Sequence, residues 1–308
     1  MYGGIDLGGT KIEACLFDAG FSPLDRRRVE TPTDYAALVA AMGDQVDWLR
    51  ARAGEPRLPI GVGLPGLVNR KTGLAYTSNL PAMNRPLAAD LAARVGVALP
   101  FDNDCKCFAL SEANGGAGNS ARTMFGLILG TGTGGGVCID RRLATGSNGL
   151  PGEVGHIGMP AALLGQLDLP AVRCGCGRMG CYETYLSGRG LSRLCEHLTG
   201  TALSGEALAV ALTEGSADAE RVIAAWSAIA AELIHTLQMT IDPECVVLGG
   251  GLTLIPGIAE RIQKAFEAIR LAPTRAPAIV IARFGASSGV RGAAMLAMPA
   301  EDLEASRR

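Results

Sequence analysis

Phe125-Gly126-Leu127-Ile128-Leu129-Gly130-Thr131-Gly132-Thr133-Gly134-Gly135-Gly136-Val137-Cys138-Ile139-Asp140 is the stretch on which the reading of the fold turns. The apolar runs 125–129 and 137–140 read as strands, and the seven residues between them are glycine and threonine, which read as a turn. The chain begins the same way. Tyr2–Leu7 and Ile12–Phe17 read as strands around Asp6-Leu7-Gly8-Gly9-Thr10-Lys11, and each copy closes on an aspartate, Asp18 or Asp140. The repeat lies about half a chain away, which predicts a duplicated, two-lobed protein rather than a solenoid of short repeats. Glycines leave backbone N–H groups bare, so each turn could cradle a phosphate and a nucleotide would sit between the lobes. For the first turn taken alone, a simple hairpin is an equally good reading.

Around these copies the chain alternates strands and helices. Asp34–Ala53 has helical spacing, with Leu38, Met42, Val46 and Leu49 on one face. A strand at Ile60–Gly63 runs into Gly63-Leu64-Pro65-Gly66, then a polar hairpin around Asn69–Gly73 and the loop Thr77-Ser78-Asn79-Leu80-Pro81. Leu87–Val95 reads as a helix, Ala98–Phe101 as a strand ending at Asp102-Asn103-Asp104, and Cys107–Ala113 as a helix start. Polar residues at strand ends are where α/β folds place their sites. Helices dominate 191–239, with Ile223, Trp226, Ile229, Leu233 and Leu237 on an apolar face. Cys245–Leu248 is a buried strand, followed by Gly249-Gly250-Gly251 and a helix over 255–269. That unit suits an adenosine resting on bare backbone, or simply close helix–strand packing. A strand at 278–282 and a helix at 287–298 follow, and the charged tail to Arg308 is expected to fray.

A second motif lies at 152–188. It opens Gly152-Glu153-Val154-Gly155-His156 and contains Cys174-Gly175-Cys176-Gly177-Arg178-Met179-Gly180-Cys181-Tyr182-Glu183. Three cysteines within eight residues and a histidine eighteen positions upstream suit a closed Cys3His zinc site, which holds structure and leaves no open position for chemistry. The alternative is three buried thiols and a core histidine.

The 308 residues are 48% hydrophobic and 19% charged with net charge −2, which leaves no basic excess to hold nucleic acid. No apolar run approaches the ~18 residues of a membrane span, and no leader is visible at the start, so a cytoplasmic protein is expected. Nine cysteines, odd in number and partly clustered, fit a reducing compartment and a metal site.

Taken together, D-x-G-G-T-K, N-L-P at 79–81, N-D at 103–104, G-T-G-x-G-G-G, G-E-x-G-H and C-x-C-G-x-x-G-C-x-E resemble the ROK (repressor, open reading frame, kinase) family of sugar kinases and regulators. The resemblance runs from residue 2 to about 295. It implies a ribonuclease H-like, actin/hexokinase-type α/β ATPase fold, duplicated into two lobes with an interlobe cleft. The small lobe would be 1–118, completed by the final helix 287–298, and the large lobe 119–286 with the zinc motif. The wording of 108–113 and 181–190 is most similar to members that phosphorylate N-acetylglucosamine, which implies transfer from Mg-ATP to its 6-hydroxyl.

The resemblance also assigns residues. Asp104 matches the general base. Gly66, Asn79, Asn103, Asp104, Glu153, His156 and Glu183 match positions near the sugar. Asp6, Gly8, Gly9, Thr10 and Lys11, with Thr131, Gly132, Thr133 and Gly134, match the phosphate cradle; Asp6 would hold hydrated Mg2+. Gly249, Gly250 and Gly251 match the adenosine side, and His156, Cys174, Cys176 and Cys181 the zinc ligands. His156 would put one ring nitrogen on zinc and offer the other to the sugar.

Asn103-Asp104-Cys105-Lys106 departs from the family's usual N-D-A-N or N-D-G-N. An ammonium close to Asp104 would lower its pKa; the preferred expectation is that Lys106 snorkels to solvent without effect. Glucose, fructose and N-acetylmannosamine are alternative substrates, and a non-catalytic sugar sensor is a less favoured reading. A regulator would need a DNA-binding helix-turn-helix ahead of the first turn, and that turn begins at residue 6. A homodimer is expected from the family.

Overall fold

Alternation in β1 (Tyr2–Leu7) decides how the first sheet is covered. Successive strand residues face opposite sides. Gly3 faces Leu49 of α1 (Tyr35–Ala53), and Gly4 faces α10 (Ser288–Leu296). A Cβ on Gly4 would lie 2.0 Å from the Val290 carbonyl oxygen, so helix and strand meet backbone to backbone. Leu38, Met42, Val46 and Leu49 of α1 are fully buried, as their spacing predicted. Asp34 caps α1 by accepting from Ala37 N at 2.9 Å, and Gly54 ends it in the left-handed region.

The computed structural model describes residues 1–77 and 79–299; Ser78 and the charged tail at 300–308 lie outside the described residues, so the fraying expectation does too. The described chain forms two compact units. The first contains residues 1–111, 145–150 and the chain from Ser287, and the second residues 112–144 and 151–286. The segment 145–150, which the sequence left in the second lobe, is counted with the first unit.

In the first unit β2 (Lys11–Phe17), β3 (Pro23–Glu30), β4 (Ile60–Leu64) and β7 (Phe101–Asn103) join β1 in the order β3-β2-β1-β4-β7. The first three strands are antiparallel, while β4 and β7 run parallel to β1. Register puts Asp6, Gly63 and Asp102 in one row at the strands' C-terminal ends. The small hairpin β5 (Leu67–Val68) and β6 (Ala75–Tyr76) stands apart from this sheet, and α2 (Leu87–Val95) packs on α1. Helix α3 (Asp104–Ala113) leaves β7 with no intervening loop, three residues earlier than the sequence suggested.

The second unit repeats the arrangement. Strands β8 (Thr123–Leu129), β9 (Thr133–Ile139), β10 (Arg142–Leu143), β11 (Cys245–Gly249) and β12 (Ala278–Ile281) lie in the order β10-β9-β8-β11-β12. Each strand has the sense of its counterpart in the first sheet. The duplication read from the two glycine turns is therefore a duplication of whole sheets.

Short helices α4 (Ala161–Gln166) and α5 (Glu183–Leu186) lie within the cysteine motif, and α6 (Gly188–Thr199) and α7 (Gly205–Thr213) follow. Helix α8 (Ala217–Ile241) buries Trp226, Ile229, Leu233 and Ile234 completely, and α9 (Ile258–Ile269) packs beside it. Each such side chain contributes about 1.5–3 kcal/mol by leaving water. By length and hydropathy α8 could cross a membrane, but 67% of its most apolar window is buried inside the unit, so it is a core helix.

Further expectations need correction, and the strand expected at 98–101 is found at Phe101–Asn103. Pro23–Glu30 is a strand, where the sequence suggested none. The second glycine turn is shorter than read, because Thr133 and Gly134 already belong to β9, paired with Leu129 and Ile128. The helix expected from 255 starts at 258, after a single 3-10 turn at Gly251–Leu254.

Candidate functional site

The strand ends of the first unit assemble one group of candidate residues. Gly8 N donates to Lys11 O at 2.9 Å to close the turn, and Thr31 braces it from β3's exit through its hydroxyl on Gly8 O (2.7 Å) and its N–H on Thr10 O (3.1 Å). Thr31 had no distinguishing signal in the sequence. Asn79 is exposed and lies against Gly9, 3.2 Å from where a Cβ would be. Asn103 is buried and used twice: its Nδ2 donates to Gly66 O at 3.1 Å, and its Oδ1 accepts from Cys105 N at 2.9 Å. The structure thus brings Gly66 to Asn103 and Asn79 to the first turn.

Asp104 is the first residue of α3, and its Oδ1 accepts from Cys105 N at 2.8 Å. A helix N-terminus favours an anion, but burial prevails and pushes the Asp104 carboxyl above its ordinary 3.8. Asp6 is likewise pushed up, to about 7, first by burial and then by the charges of Asp104 and Glu13, with Lys11 opposing. Two half-buried carboxyls, one raising the pKa of the other, offer oxygen donors whose repulsion a hard divalent cation would relieve, which fits Mg2+.

Lys106 does not snorkel. Its side chain is 1% exposed, its ammonium lies 3.2 Å from Asp102 Oδ1, and it donates to Gly149 O. Burial of the whole stem leaves no path to solvent, and the charge is matched by Asp102 rather than by Asp104.

In the second unit, Gly152 and Gly155 press onto β9: Cβ atoms there would meet Gly135 O at 2.1 Å and Thr133 O at 1.9 Å. Glu153 and His156 are carried on this segment. His156 Nδ1 lies 3.6 Å from Cys174 Sγ, Cys176 Sγ lies 3.7 Å from Cys181 Sγ, and all four ligand atoms fall within 4.8 Å of one another. A tetrahedral zinc with ~2.3 Å bonds to sulfur separates its thiolates by about 3.8 Å. The set therefore fits a structural zinc. Backbone donation from Arg178 lowers the Cys176 thiol, while burial pushes Cys181 up to about 12; a bound metal ion favours thiolates at both. Nδ1 faces the cluster, which leaves Nε2 as the other ring nitrogen.

Glu183, two residues after the last cysteine, links the cluster to the glycine turn. Its Oε2 accepts from Thr133 N at 3.1 Å, and a Cβ on Gly132 would lie 2.8 Å from that oxygen. Gly188 N also donates to Gly130 O at 2.7 Å, and a Cβ on Gly250 would lie 2.3 Å from Leu129 O. The Gly130–Gly132 turn, Glu183 and the Gly249–Gly251 bend thus form one neighbourhood. Thr131 is an exposed residue of that turn, and the Thr133 hydroxyl is buried without a partner among the described residues. Bare backbone with an unused hydroxyl fits a phosphorylated ligand.

Two sheets of one topology, each with a glycine turn in its first hairpin, define the duplicated ribonuclease H-like class to which actin and hexokinase belong. Within that class the chain belongs to the ROK family, whose model matches residues 2–300. It is similar to the N-acetylgalactosamine kinase AgaK of Shewanella sp. (strain ANA-3), with 41% identity over 298 residues and 96% of each chain covered. It is also similar to the N-acetyl-D-glucosamine kinase of Pectobacterium atrosepticum, with 39% identity over 300 residues, 96% of this chain and 98% of that one. The crystal structure of a ROK hexokinase from Thermus thermophilus matches with a TM-score of 0.85 and 31% identity, over 96% of this chain and 97% of the other.

Proposed function

We propose that this protein is a sugar kinase that transfers the terminal phosphoryl group of ATP to the 6-hydroxyl of N-acetylglucosamine. The observation that carries the reading is Asp104: a half-buried carboxyl that opens α3 directly after a parallel strand, close enough to Asp6 to raise its pKa and next to an Asn103 fixed by Gly66. Such a group suits proton abstraction from a hydroxyl, because burial raises its basicity.

Phosphoryl transfer passes through a loose transition state, so the protein supplies position and charge balance. Asp6 would hold Mg2+, which when bound offsets the charge of the phosphates. The Gly8–Lys11 and Gly130–Gly132 turns would present N–H groups to phosphate oxygens, and Gly249–Gly251 would accept the adenosine. Asn103, Glu153, Glu183 and the free nitrogen of His156 would bind sugar hydroxyls, and Gly66 and Asn79 would be loop positions near the sugar. Asp104 would take the hydroxyl proton. His156, Cys174, Cys176 and Cys181 would hold zinc as a clip that fixes Glu183 and His156, with no part in the chemistry.

The relatives support an N-acetylated hexosamine and favour one second reading. N-acetylglucosamine and N-acetylgalactosamine differ in the configuration of one hydroxyl, and the similar proteins carry both names. The lobe limits, cytoplasmic site and homodimer expected from the sequence belong to the same proposal. An ADP-release assay over N-acetylglucosamine, N-acetylgalactosamine, N-acetylmannosamine, glucose and fructose tests it. N-acetylglucosamine should give the highest kcat/KM. A higher value for N-acetylgalactosamine selects the second reading, and ADP release independent of any sugar refutes both.

A further inference from the structure

We infer that Lys106 is a positioning residue: it straps the segment 145–150 to the first unit and so preorganises the approach to Glu153. This inference deepens the kinase reading and rests on it.

The chain on both sides of 145–150 belongs to the second unit, yet these six residues are counted with the first. Only Gly149 among them is buried. Little apolar contact therefore holds the segment, and its hydrogen bonds decide whether it stays docked. Two first-unit cations supply them: Arg70 Nη1 donates to Gly146 O at 2.8 Å, and the Lys106 ammonium donates to Gly149 O. Gly149 adopts φ +71°, with Leu67 Cδ2 and Lys106 Nζ 3.8 and 3.6 Å from where a Cβ would be.

A buried ammonium without partners would be costly. Lys106 is tolerated because Asp102 Oδ1 balances its charge and the strap's carbonyl takes a second donor. The same Asp102 Oδ1 accepts from Asn103 N at 2.8 Å. One ammonium thus connects the strand end that precedes Asp104 to a strap that runs within three residues into Glu153.

Removing a charge-assisted bond shifts such a docking equilibrium by about ten- to a hundredfold. If sugar binds only the docked form, its apparent affinity falls with the docked fraction, while saturating sugar restores turnover. Lys106→Met keeps the stem and removes the charge; Arg70→Ala removes the second tether at an exposed side chain and decides the matter if the first variant does not fold.

Two measurements test this: limited proteinase K cleavage within residues 145–150 of the free protein, and sugar KM against kcat. Cleavage of Lys106→Met should be about tenfold faster or more, sugar KM should rise about tenfold, and kcat should stay within about threefold. Arg70→Ala should move the same way by less. Unchanged cleavage and KM in the folded variants, or a loss confined to kcat, overturns the inference. Absence of sugar turnover in the unaltered protein would instead overturn the kinase reading, while cleavage still decides whether the strap is held by Lys106.

Discussion

Replacing Asp6 with asparagine should make the metal-free protein more stable and less able to use Mg-ATP. Asp6 is raised from 3.8 to about 7, chiefly by burial and then by Asp104 and Glu13. A carboxyl raised on folding binds its proton more tightly in the folded state. Its contribution is therefore fully present below pH 3.8 and is lost as pH rises to about 7. At about 1.4 kcal/mol per pH unit, the ionised group costs the fold about 1.5 kcal/mol at pH 5 and about 4 kcal/mol at pH 8.

Asparagine has nearly the same volume and no charge, so Asp6→Asn should recover about 2–4 kcal/mol at pH 8, the amide's own desolvation taking the rest. That corresponds to about 5 °C in Tm. The assay is thermal unfolding in a chelator at pH 5 and pH 8, repeated with Mg-ATP. The variant should gain most at pH 8, least at pH 5, and lose most of the protection that Mg-ATP gives the unaltered protein. A variant no more stable at pH 8, or one whose gain grows toward acid, would refute the placement of Asp6 as a desolvated, charge-crowded carboxyl.

Other outcomes follow from the same geometry. Asp104→Asn should lower kcat by about 10²–10⁴-fold and leave sugar affinity within a few-fold; near-normal turnover would sink the base assignment. Because burial raises Asp104, the acid limb of kcat/KM should lie above 3.8, and a limb at or below that value in a pH–rate profile would contradict it. Exhaustive chelation should release one zinc per chain, lower Tm and weaken sugar binding before it affects kcat at saturating sugar; unchanged Tm and affinity would exclude a structural clip. Glu112 is fully buried and accepts from Ala117 N (2.9 Å), Arg283 N (3.0 Å) and Phe284 N (3.1 Å). Glu112→Gln sets an amide donor against one of those donors and should cost about 2–4 kcal/mol in denaturant unfolding.

The duplicated sheet was legible because its signal is redundant: apolar strands, a glycine turn and a terminal aspartate occur twice. What escaped was what carries no apolar signal. β3 holds Asp25, Arg26, Arg27 and Arg28 in sequence and reads as a loop, yet it is an edge strand whose charges are useful there. Arg26 lies 3.3 Å from the buried Glu13 carboxylate, which Arg28 also pairs with. The start of β9 escaped for a different reason. Gly134, Gly135 and Gly136 have low strand propensity, and only the ladder with Ile128, Leu127 and Gly126 makes them a strand.

The candidate site was legible by motif more than by role. Four candidate metal ligands could be named from spacing, and they do lie together, but no spacing shows that Glu183 accepts from Thr133 N and so holds the glycine turn. Lys106 was ambiguous because its partner Gly149 lies far along the chain, in a segment with no pattern of its own. Glu112 was visible as part of a familiar segment, and its three backbone donors explain why a carboxylate belongs there.

On the proposed function, Asp104 directs phosphorylation to the 6-hydroxyl of an N-acetylhexosamine. The most direct test is to incubate the protein with Mg-ATP and N-acetylglucosamine and locate the phosphate on the product by phosphorus–proton NMR coupling. Coupling to the two protons on carbon 6 is expected, and its loss with Asp104→Asn. Coupling to the anomeric proton, or no sugar phosphate from any hexose tested, would contradict it.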